Sequence, residues 1–305
     1  MPRFAANLNF LFTELPLLER FDAAAKAGFT AVEFTNLYAA SAEEVAARLK
    51  ANGLTLALFN MPAGNEAAGE RGLAALTGRE QDFWAAFEKA RRYAEATGGR
   101  RIHVLAGLLH HGAQRATYVA NLRRAAQAAA TEGIEVQIEP INRRDIPGYF
   151  LTKTHEARAI IHEVGAPNLW LQFDLYHRQI EEGDVATAIA EFAPLAGHYQ
   201  IASPPDRGEP DDGELNFPYL FRRIDATGFA GWVGCEYRPR KGTIAGLMWV
   251  DACGVTLGDA SPASPRLSPG SIEPHTLAFV DGWKPGTAAS PVQASRGDHK
   301  NGRRP

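Results

Sequence analysis

The chain is poor in cysteine: Cys235 and Cys253 are the only two in 305 residues. Two thiols cannot build a disulfide framework and are too few for a cysteine-built zinc site, so both are read as reduced. Long apolar runs are missing as well. None approaches the roughly 18 residues a spanning helix needs, and the opening MPRFAANLNF lacks the basic-then-apolar layout of a signal peptide. These absences predict a cytoplasmic protein with no membrane partner. Nor is there a surplus of positive charge. Lys and Arg number 32 against 35 Asp and Glu, a formal net charge of −3, which offers no basic field to a phosphate backbone and argues against nucleic acid as a partner. What is present is ordinary. Hydrophobic residues make up 45% and charged residues 22%, close to soluble globular averages and sufficient for a sizeable core.

Short β-branched or aromatic runs alternate with longer alanine-rich amphipathic stretches up to about residue 253. Strands are predicted over 3–10, 31–35, 55–60, 101–107, 135–142, 169–174, 198–202 and 232–237. Helices are predicted over 17–27, 41–52, 79–97, 117–132, 154–164, 183–192, 217–227 and 243–253. Ser41 followed by Glu44 has the spacing of a capping box, and Gly28, Gly53, Gly133, Gly165 and Gly228 sit where left-handed helix stops are wanted. Eight βα units in about 250 residues predict an α/β fold of the (β/α)8 TIM barrel type over 1–255, although a doubly wound sheet would also alternate its elements. From 256 to 305 Gly, Pro and Ser rise to roughly two-fifths, which predicts a disordered tail, with docking through Phe279 and Trp283 as the alternative. The connection MPAGNEAAGERGLAALTG between Asn60 and Arg79 is long for a compact α/β unit and is the candidate lid.

In such a barrel the working side chains stand at the C-terminal ends of the strands. Strand alternation sets Val136, Ile138, Leu171, Phe173, Tyr199, Ile201, Val233 and Cys235 on the helix-facing side. Glu139, Asp174, Gln200 and Glu236 are then expected to face the axis from four consecutive strands. Three carboxylates converging in a low-dielectric mouth raise one another's pKa values unless a cation neutralises them. Oxygen donors alone suit a hard divalent ion such as Mg²⁺ or Mn²⁺ better than zinc. His103 and Glu33 have inward parity on their strands. The adjacent His110 and His111 point different ways and are discounted as a metal site.

The runs IEPINRRDIPG around Glu139, QFDLYH around Asp174, RGEPDDGELNF after Gln200 and GWVGCEY around Glu236 carry a resemblance, with support from NMPAGNEAAGERG and RFAANLNF. Over about residues 1–250 the chain resembles the hydroxypyruvate isomerase family, including 2-oxo-tetronate isomerases, within the xylose-isomerase-like TIM barrels. The resemblance implies metal-dependent aldose–ketose isomerisation of a small sugar acid. In that reading Glu139, Asp174, Gln200 and Glu236 hold the ion, Glu139 and Glu236 also move protons, and no organic cofactor takes part. By similarity to related ketose 3-epimerases, His177, Arg207 and Asp145 contact substrate oxygens. Arg71 in the candidate lid is assigned to the substrate carboxylate. The sequence departs from the family pattern at Ser203-Pro204, at EFTNLY after the second strand and at Asn9, all near the mouth, which leaves the substrate open. Three other readings stand beside this one: a ketose or sugar-acid 3-epimerase, a metal-dependent DNA repair endonuclease, and a non-catalytic sugar-acid-binding protein. Epimerases of this kind present His where this chain has Gln200, and the endonuclease chemistry wants a histidine-rich multi-zinc cluster and a basic face. Assembly into a homo-oligomer is left open.

Overall fold

The computed structural model describes residues 2–258, and the expected tail falls almost wholly outside the described residues. Strands β1 (Arg3–Asn7), β2 (Ala31–Phe34), β3 (Thr55–Asn60), β4 (Arg101–His103), β5 (Glu135–Ile138), β6 (Leu169–Asp174), β7 (Ala196–Ile201) and β8 (Trp232–Cys235) pair in chain order. All pairs are parallel, and β8 closes onto β1 with Arg3 opposite Trp232 and Ala6 opposite Cys235. Closure decides for the barrel over the doubly wound sheet.

Several strands stop earlier than their apolar runs suggest. Expected strands 3–10, 101–107 and 135–142 end at Asn7, His103 and Ile138. Past these points the backbone groups find partners in loops instead. The carbonyls of Leu105 and Ala106 accept Ala74 N and Ala75 N at 3.3 and 2.8 Å, so the chain leaving β4 pairs with the 60–79 connection and pins it over the barrel.

The outer layer contains α1 (Arg20–Lys26), α2 (Ala42–Asn52), α3 (Glu80–Thr97), α4 (Arg115–Ala130), α5 (Thr154–Val164), α6 (Leu175–Glu181), α7 (Val185–Phe192), α8 (Phe217–Ala226), α9 (Thr243–Gly246) and α10 (Trp249–Ala252). The capping box opens α2 as expected: Glu44 N reaches Ser41 Oγ at 3.2 Å and Ser41 N reaches Glu44 Oε2 at 2.8 Å. Gly53 closes the same helix at φ 62°, a left-handed position that an L side chain strains to adopt. Two expectations need correction. The single helix over 243–253 is two short ones, α9 and α10. Helix α6 follows β6 with no turn between them, because Asp174 caps it by accepting Tyr176 N at 2.7 Å and His177 N at 3.3 Å. His177 therefore stands in the first turn of a helix and not on a loop. Val255 and Leu257 are buried against the barrel, so the packed unit runs slightly past residue 255.

The main core lies between strands and helices, where Phe4, Phe34, Phe59, Ile138, Phe173, Tyr199 and Val233 are buried. Each such side chain contributes about 1.5–3 kcal/mol by leaving water. Inside the barrel the filling changes with height. A small apolar plug of Ala5, Ala31, Ala57 and Trp232 closes the bottom, and above it the buried inward side chains are polar: Asn7, Glu33, His103, Gln137, Gln172, His198 and Gln200. A barrel filled this way positions hydrogen-bonding groups beneath the mouth at a cost in apolar packing. Among the described residues no helix is long and apolar enough to cross a membrane.

Candidate active site

Glu139 follows β5, Asp174 ends β6 and Glu236 follows β8, and all three are buried at the barrel mouth. Glu139 Oε1 and Asp174 Oδ2 have no hydrogen-bond partner. Burial pushes the Glu139 carboxyl well above its usual range, and the charges of Glu236 and Asp174 add to that shift. Burial likewise lifts Glu236 to about 8 against the opposing pull of Arg207, with Asp174 and Glu33 reinforcing the rise. Asp174 rises to about 6, again through burial, while Arg207 and the capping N–H groups of Tyr176 and His177 hold it down. The crowding of carboxylates expected from strand parity is thus present in space. An orphaned oxygen on each of two buried carboxylates, in a mouth where Glu139, Asp174 and Glu236 are all driven toward the neutral form, fits a divalent cation. Among the described residues, Glu139, Asp174 and His177 are the one group of His, Cys, Asp and Glu whose donor atoms lie within 4.8 Å of one another.

Gln200 stands beside Asp174 in the β6–β7 register and opposite Gly234 on β8. Its side chain is engaged at both ends: Nε2 donates to Glu33 Oε1 at 2.9 Å, and Oε1 accepts Gln172 Nε2 at 2.6 Å. The Glu33 carboxylate also accepts Asn7 Nδ2 at 3.1 Å and lies 2.6 Å from His198 Nε2. It occupies the space left by Gly234, since a Cβ there would sit 2.1 Å from Glu33 Oε2. A carboxylate oxygen that already accepts one N–H can only accept another, so Gln200 must turn its nitrogen to Glu33 and its carbonyl away. That carbonyl keeps one lone pair beyond the bond from Gln172. Sequence parity placed Glu33 inward; this anchoring of Gln200 was not visible in it.

The turn after β5 organises the residues that face the mouth from the side. Asn142 Oδ1 accepts Asp145 N at 2.8 Å, and Asn142 Nδ2 lies 2.6 Å from His177 Nδ1. His177 Nε2 is 3.6 Å from Asp174 Oδ2 and 3.9 Å from Glu139 Oε1. Burial, with Arg207 nearby, holds His177 well below the usual imidazole range. Asp145 uses one oxygen for Tyr176 Oη at 3.1 Å and the other for Arg207 Nη1 at 2.9 Å. It thereby holds Arg207 in place, and each of its oxygens keeps a further lone pair.

Arg207 is the cation of the mouth. It lies between the rings of Phe10 and Tyr176, its guanidinium carbon 4.9 Å from each centroid, and Nη2 is 3.3 Å from Glu236 Oε1. Burial alone would lower its pKa, but Glu236, Asp174 and Asp145 outweigh that and raise it. Its backbone has φ 59°, a strained setting for a long side chain. The surrounding loop imposes it: Ser203 and Gly208 exchange backbone bonds at 2.9 and 3.2 Å, and Arg238 N donates to Arg207 O at 2.7 Å.

Glu139, His177, Arg207, Glu236 and Arg71 share one cavity of about 170 Å³. Arg71 reaches it from the 60–79 connection, where its Nη1 bonds the carbonyls of Glu70 and Glu66 at 2.7 and 3.3 Å. The connection is latched across the mouth, because Glu66 Oε1 accepts Asn36 Nδ2 at 3.0 Å while Asn36 and Asn9 exchange bonds at 2.9 Å each. Asn9 and Asn36, noted in the sequence only as departures from a family pattern, thus tie the loops after β1 and β2 to the lid. His103 faces inward as parity suggests, with Nδ1 3.1 Å from Asn60 Oδ1 and 3.6 Å from Glu139 Oε2, and burial, then the neighbouring His198, drives it down to about 3. His110 and His111 meet edge to face in a short 3₁₀ turn, and neither is among the clustered donor groups at the mouth.

Residues 21–253 match the model of the xylose isomerase-like TIM barrel family. The chain belongs to that family. A 2-oxo-tetronate isomerase from Cupriavidus necator is 57% identical over 254 residues, covering 82% of this chain and 98% of its own. The hydroxypyruvate isomerase of Escherichia coli K12 is 46% identical over 255 residues, covering 82% of this chain and 99% of its own. Among solved structures, one from Brucella melitensis described as an AP endonuclease, family 2, is 48% identical with a TM-score of 0.80, covering 83% of this chain and 99% of that one. The expected resemblance to the hydroxypyruvate and 2-oxo-tetronate isomerases is borne out, and with it the expectation of an isomerase.

Proposed function

We propose that the protein is a metal-dependent aldose–ketose isomerase of small sugar acids, converting hydroxypyruvate to tartronate semialdehyde or isomerising a 2-oxo-tetronate. The names of the relatives at 57% and 46% identity support this substrate class. The observation that carries the chemistry is the pairing of two orphaned carboxylate oxygens, on Glu139 and Asp174, with a third carboxyl, Glu236, which Arg207 holds in the cavity that Glu139 also lines.

Glu139, Asp174, Gln200 and Glu236 are the proposed holders of a Mg²⁺ or Mn²⁺ ion. Gln200 offers its carbonyl because Glu33 claims its nitrogen. The chemistry such an ion supplies is neutralisation of the negative charge that develops on vicinal substrate oxygens. The chain's own groups do the rest. One of Glu139 and Glu236 takes the proton from the carbinol carbon and the other returns a proton to its neighbour, while the hydroxyl proton passes from the carbinol oxygen to the former carbonyl oxygen, and the roles exchange when the reaction runs backwards. Arg207 keeps Glu236 in place across the cavity and offers its guanidinium to a substrate oxygen. His177 faces the same space, and Arg71 supplies a cation for the substrate carboxylate at the lid side.

The Brucella melitensis relative's description raises a nuclease reading. A cavity of about 170 Å³ walled by Asn36, Glu66 and Arg71 on one side and by Glu139 and Glu236 on the other suits a molecule of a few carbons, which favours the isomerase. The test is a panel of hydroxypyruvate, 2-oxo-tetronates, free ketoses and abasic-site DNA, assayed after chelation and after adding back Mg²⁺, Mn²⁺ or Co²⁺. Turnover of a sugar acid that depends on metal is expected. Metal-dependent cleavage of the DNA with no sugar-acid turnover overturns the reading, and epimerisation of free ketoses without carbonyl transfer replaces it with the 3-epimerase.

A further inference from the structure

A neutral imidazole has one proton and two places for it, and at His177 the two placements give the site opposite chemistry. With the proton on Nε2, His177 donates a hydrogen bond into the cavity. With the proton on Nδ1, Nε2 presents a lone pair and becomes a metal ligand alongside Glu139 and Asp174. The turn after β5 settles which of these the protein uses.

Two N–H groups converge on His177 Nδ1. The backbone N of Asn142 lies 3.4 Å away with its hydrogen aimed at the ring nitrogen, and Asn142 Nδ2 lies 2.6 Å away. The identity of the second as a nitrogen follows from the other end of the amide. Asp145 N is a backbone donor and bonds the opposite atom of the Asn142 side chain at 2.8 Å, so that atom is the oxygen. Asn142 is fully buried, and no flipped arrangement satisfies both contacts. A flip would set the amide nitrogen against the Asp145 N–H, and the backbone N–H of Asn142 would still point at Nδ1. A nitrogen that accepts from two donors carries no hydrogen of its own.

We infer that Asn142 is a positioning residue that locks His177 as its Nε2–H tautomer, making it a hydrogen-bond donor to a substrate oxygen and excluding it from the metal's ligands. The donor lies 3.6 and 3.9 Å from Asp174 Oδ2 and Glu139 Oε1, too long for direct bonds, so it is available to a substrate oxygen in the cavity that His177 and Glu139 line. The same turn sets Asp145 against Arg207 and Tyr176, so one four-residue segment aims both substrate-facing groups. The inference rests on the reading of His177 as a substrate contact, which a separate variant tests.

The experiment is nitrogen NMR on metal-free protein labelled with ¹⁵N-histidine, with the His177 ring assigned by its loss in His177→Gln. A pyridine-type Nδ1 and a pyrrole-type Nε2 are expected, and the pattern is expected to persist when Mg²⁺ is added. Asn142→Asp keeps the acceptor for Asp145 N but replaces the amide donor by a carboxylate oxygen. The carboxylate at the 2.6 Å position outweighs the backbone N–H that remains at 3.4 Å, so that variant is expected to move the proton to Nδ1 and to lower kcat/KM about tenfold or more, within the range typical of lost orienting partners in metal sites, while circular dichroism stays native. A pyrrole-type Nδ1 in the wild type, or loss of the Nε2 proton signal on metal binding, overturns the inference whether or not the variant folds. An unchanged tautomer in a folded Asn142→Asp also overturns it. Full turnover by His177→Gln with the expected tautomer in the wild type instead removes the substrate-contact reading and leaves the tautomer lock standing.

Discussion

The carboxyls at the mouth make the metal-free protein an unusual case in which alkaline pH weakens the fold. Glu236 is raised from 4.5 to about 8 in the folded state, chiefly by burial. A group with a raised folded pKa stabilises most below its unfolded value, and that stability is lost as pH climbs toward the folded value. A tenfold difference in proton affinity between the folded and unfolded chain corresponds to about 1.4 kcal/mol, so between pH 7 and 8.5 Glu236 alone removes on the order of 1 kcal/mol. Glu139, shifted in the same direction, adds to the loss. Asp174, at about 6, is already ionised above pH 7 and contributes little to the slope. His103 and His177 are neutral when folded and act in the opposite sense, but only as the unfolded imidazoles take up protons below about pH 6.5. Above pH 7 the histidines drop out, and the Cys235 and Cys253 thiols, raised in the folded chain by burial, add only a smaller loss in the same sense as their unfolded forms begin to ionise towards pH 8.5. For a domain of this size about 1 kcal/mol moves Tm by roughly 2–4 °C, so chelated protein is expected to melt about 2–5 °C lower at pH 8.5 than at pH 7. Mg²⁺ favours the ionised carboxylates, so its stabilising increment is expected to grow over the same interval. The assay is a thermal melt at fixed scan rate with EDTA or with Mg²⁺ in matched buffers. A chelated Tm that stays flat or rises from pH 7 to 8.5, with a metal increment that does not change, refutes the account of the mouth as a cluster of proton-holding carboxyls awaiting a cation.

Glu139→Gln and Glu236→Gln are each expected to lower turnover by about 10²–10⁴-fold in folded protein; wild-type turnover in both at full metal occupancy would rule out the two-carboxylate relay, and exchange of the substrate α-proton with solvent deuterium separates the abstracting group from the returning one. Arg71→Ala is expected to raise KM for sugar acids more than for neutral ketoses, because only the former present a carboxylate to the lid; equal effects on both would take the carboxylate away from Arg71. Gly234→Ala sets a Cβ in the space of the Glu33 carboxylate and is expected to weaken Mg²⁺ binding by calorimetry about tenfold through Gln200, with the Gln200→Ala background abolishing that effect; additive losses in the double variant would show that Glu33 acts elsewhere.

The barrel was legible in the sequence because its signal is repeated eight times. Each buried strand is a short apolar run, each helix an alanine-rich period, and glycine at the stops separates them, so errors at one boundary do not propagate to the next. Boundaries failed where the next partner was not local. Leu105 and Ala106 have the composition of a strand, yet their carbonyls bond the lid, and nothing in the run 101–107 announces a partner thirty residues upstream. Helix α6 was missed for a related reason: its cap, Asp174, is also the last strand residue, and a residue with two assignments leaves no gap in the pattern for a helix to begin.

The site divides along the same line. Glu139, Asp174 and Glu236 were visible because strand parity plus barrel closure is enough to bring inward strand ends together, whatever their partners. Gln200 shares their parity, but its parity says nothing about which end of its amide faces the axis; that depends on Glu33, a hundred and sixty-seven residues earlier in the chain. Asp145 was expected to touch substrate, and the sequence did not show that each of its oxygens also bonds a neighbour, Tyr176 and Arg207. Asn142 was not singled out although it lies inside one of the motifs that carried the family resemblance, since a lone asparagine in a turn has no pattern of its own. In each case the missing information is orientation. A sequence pattern can place a polar side chain in the barrel mouth, but whether it donates or accepts there is set by hydrogen-bond partners on other strands, and those are settled only when the barrel closes.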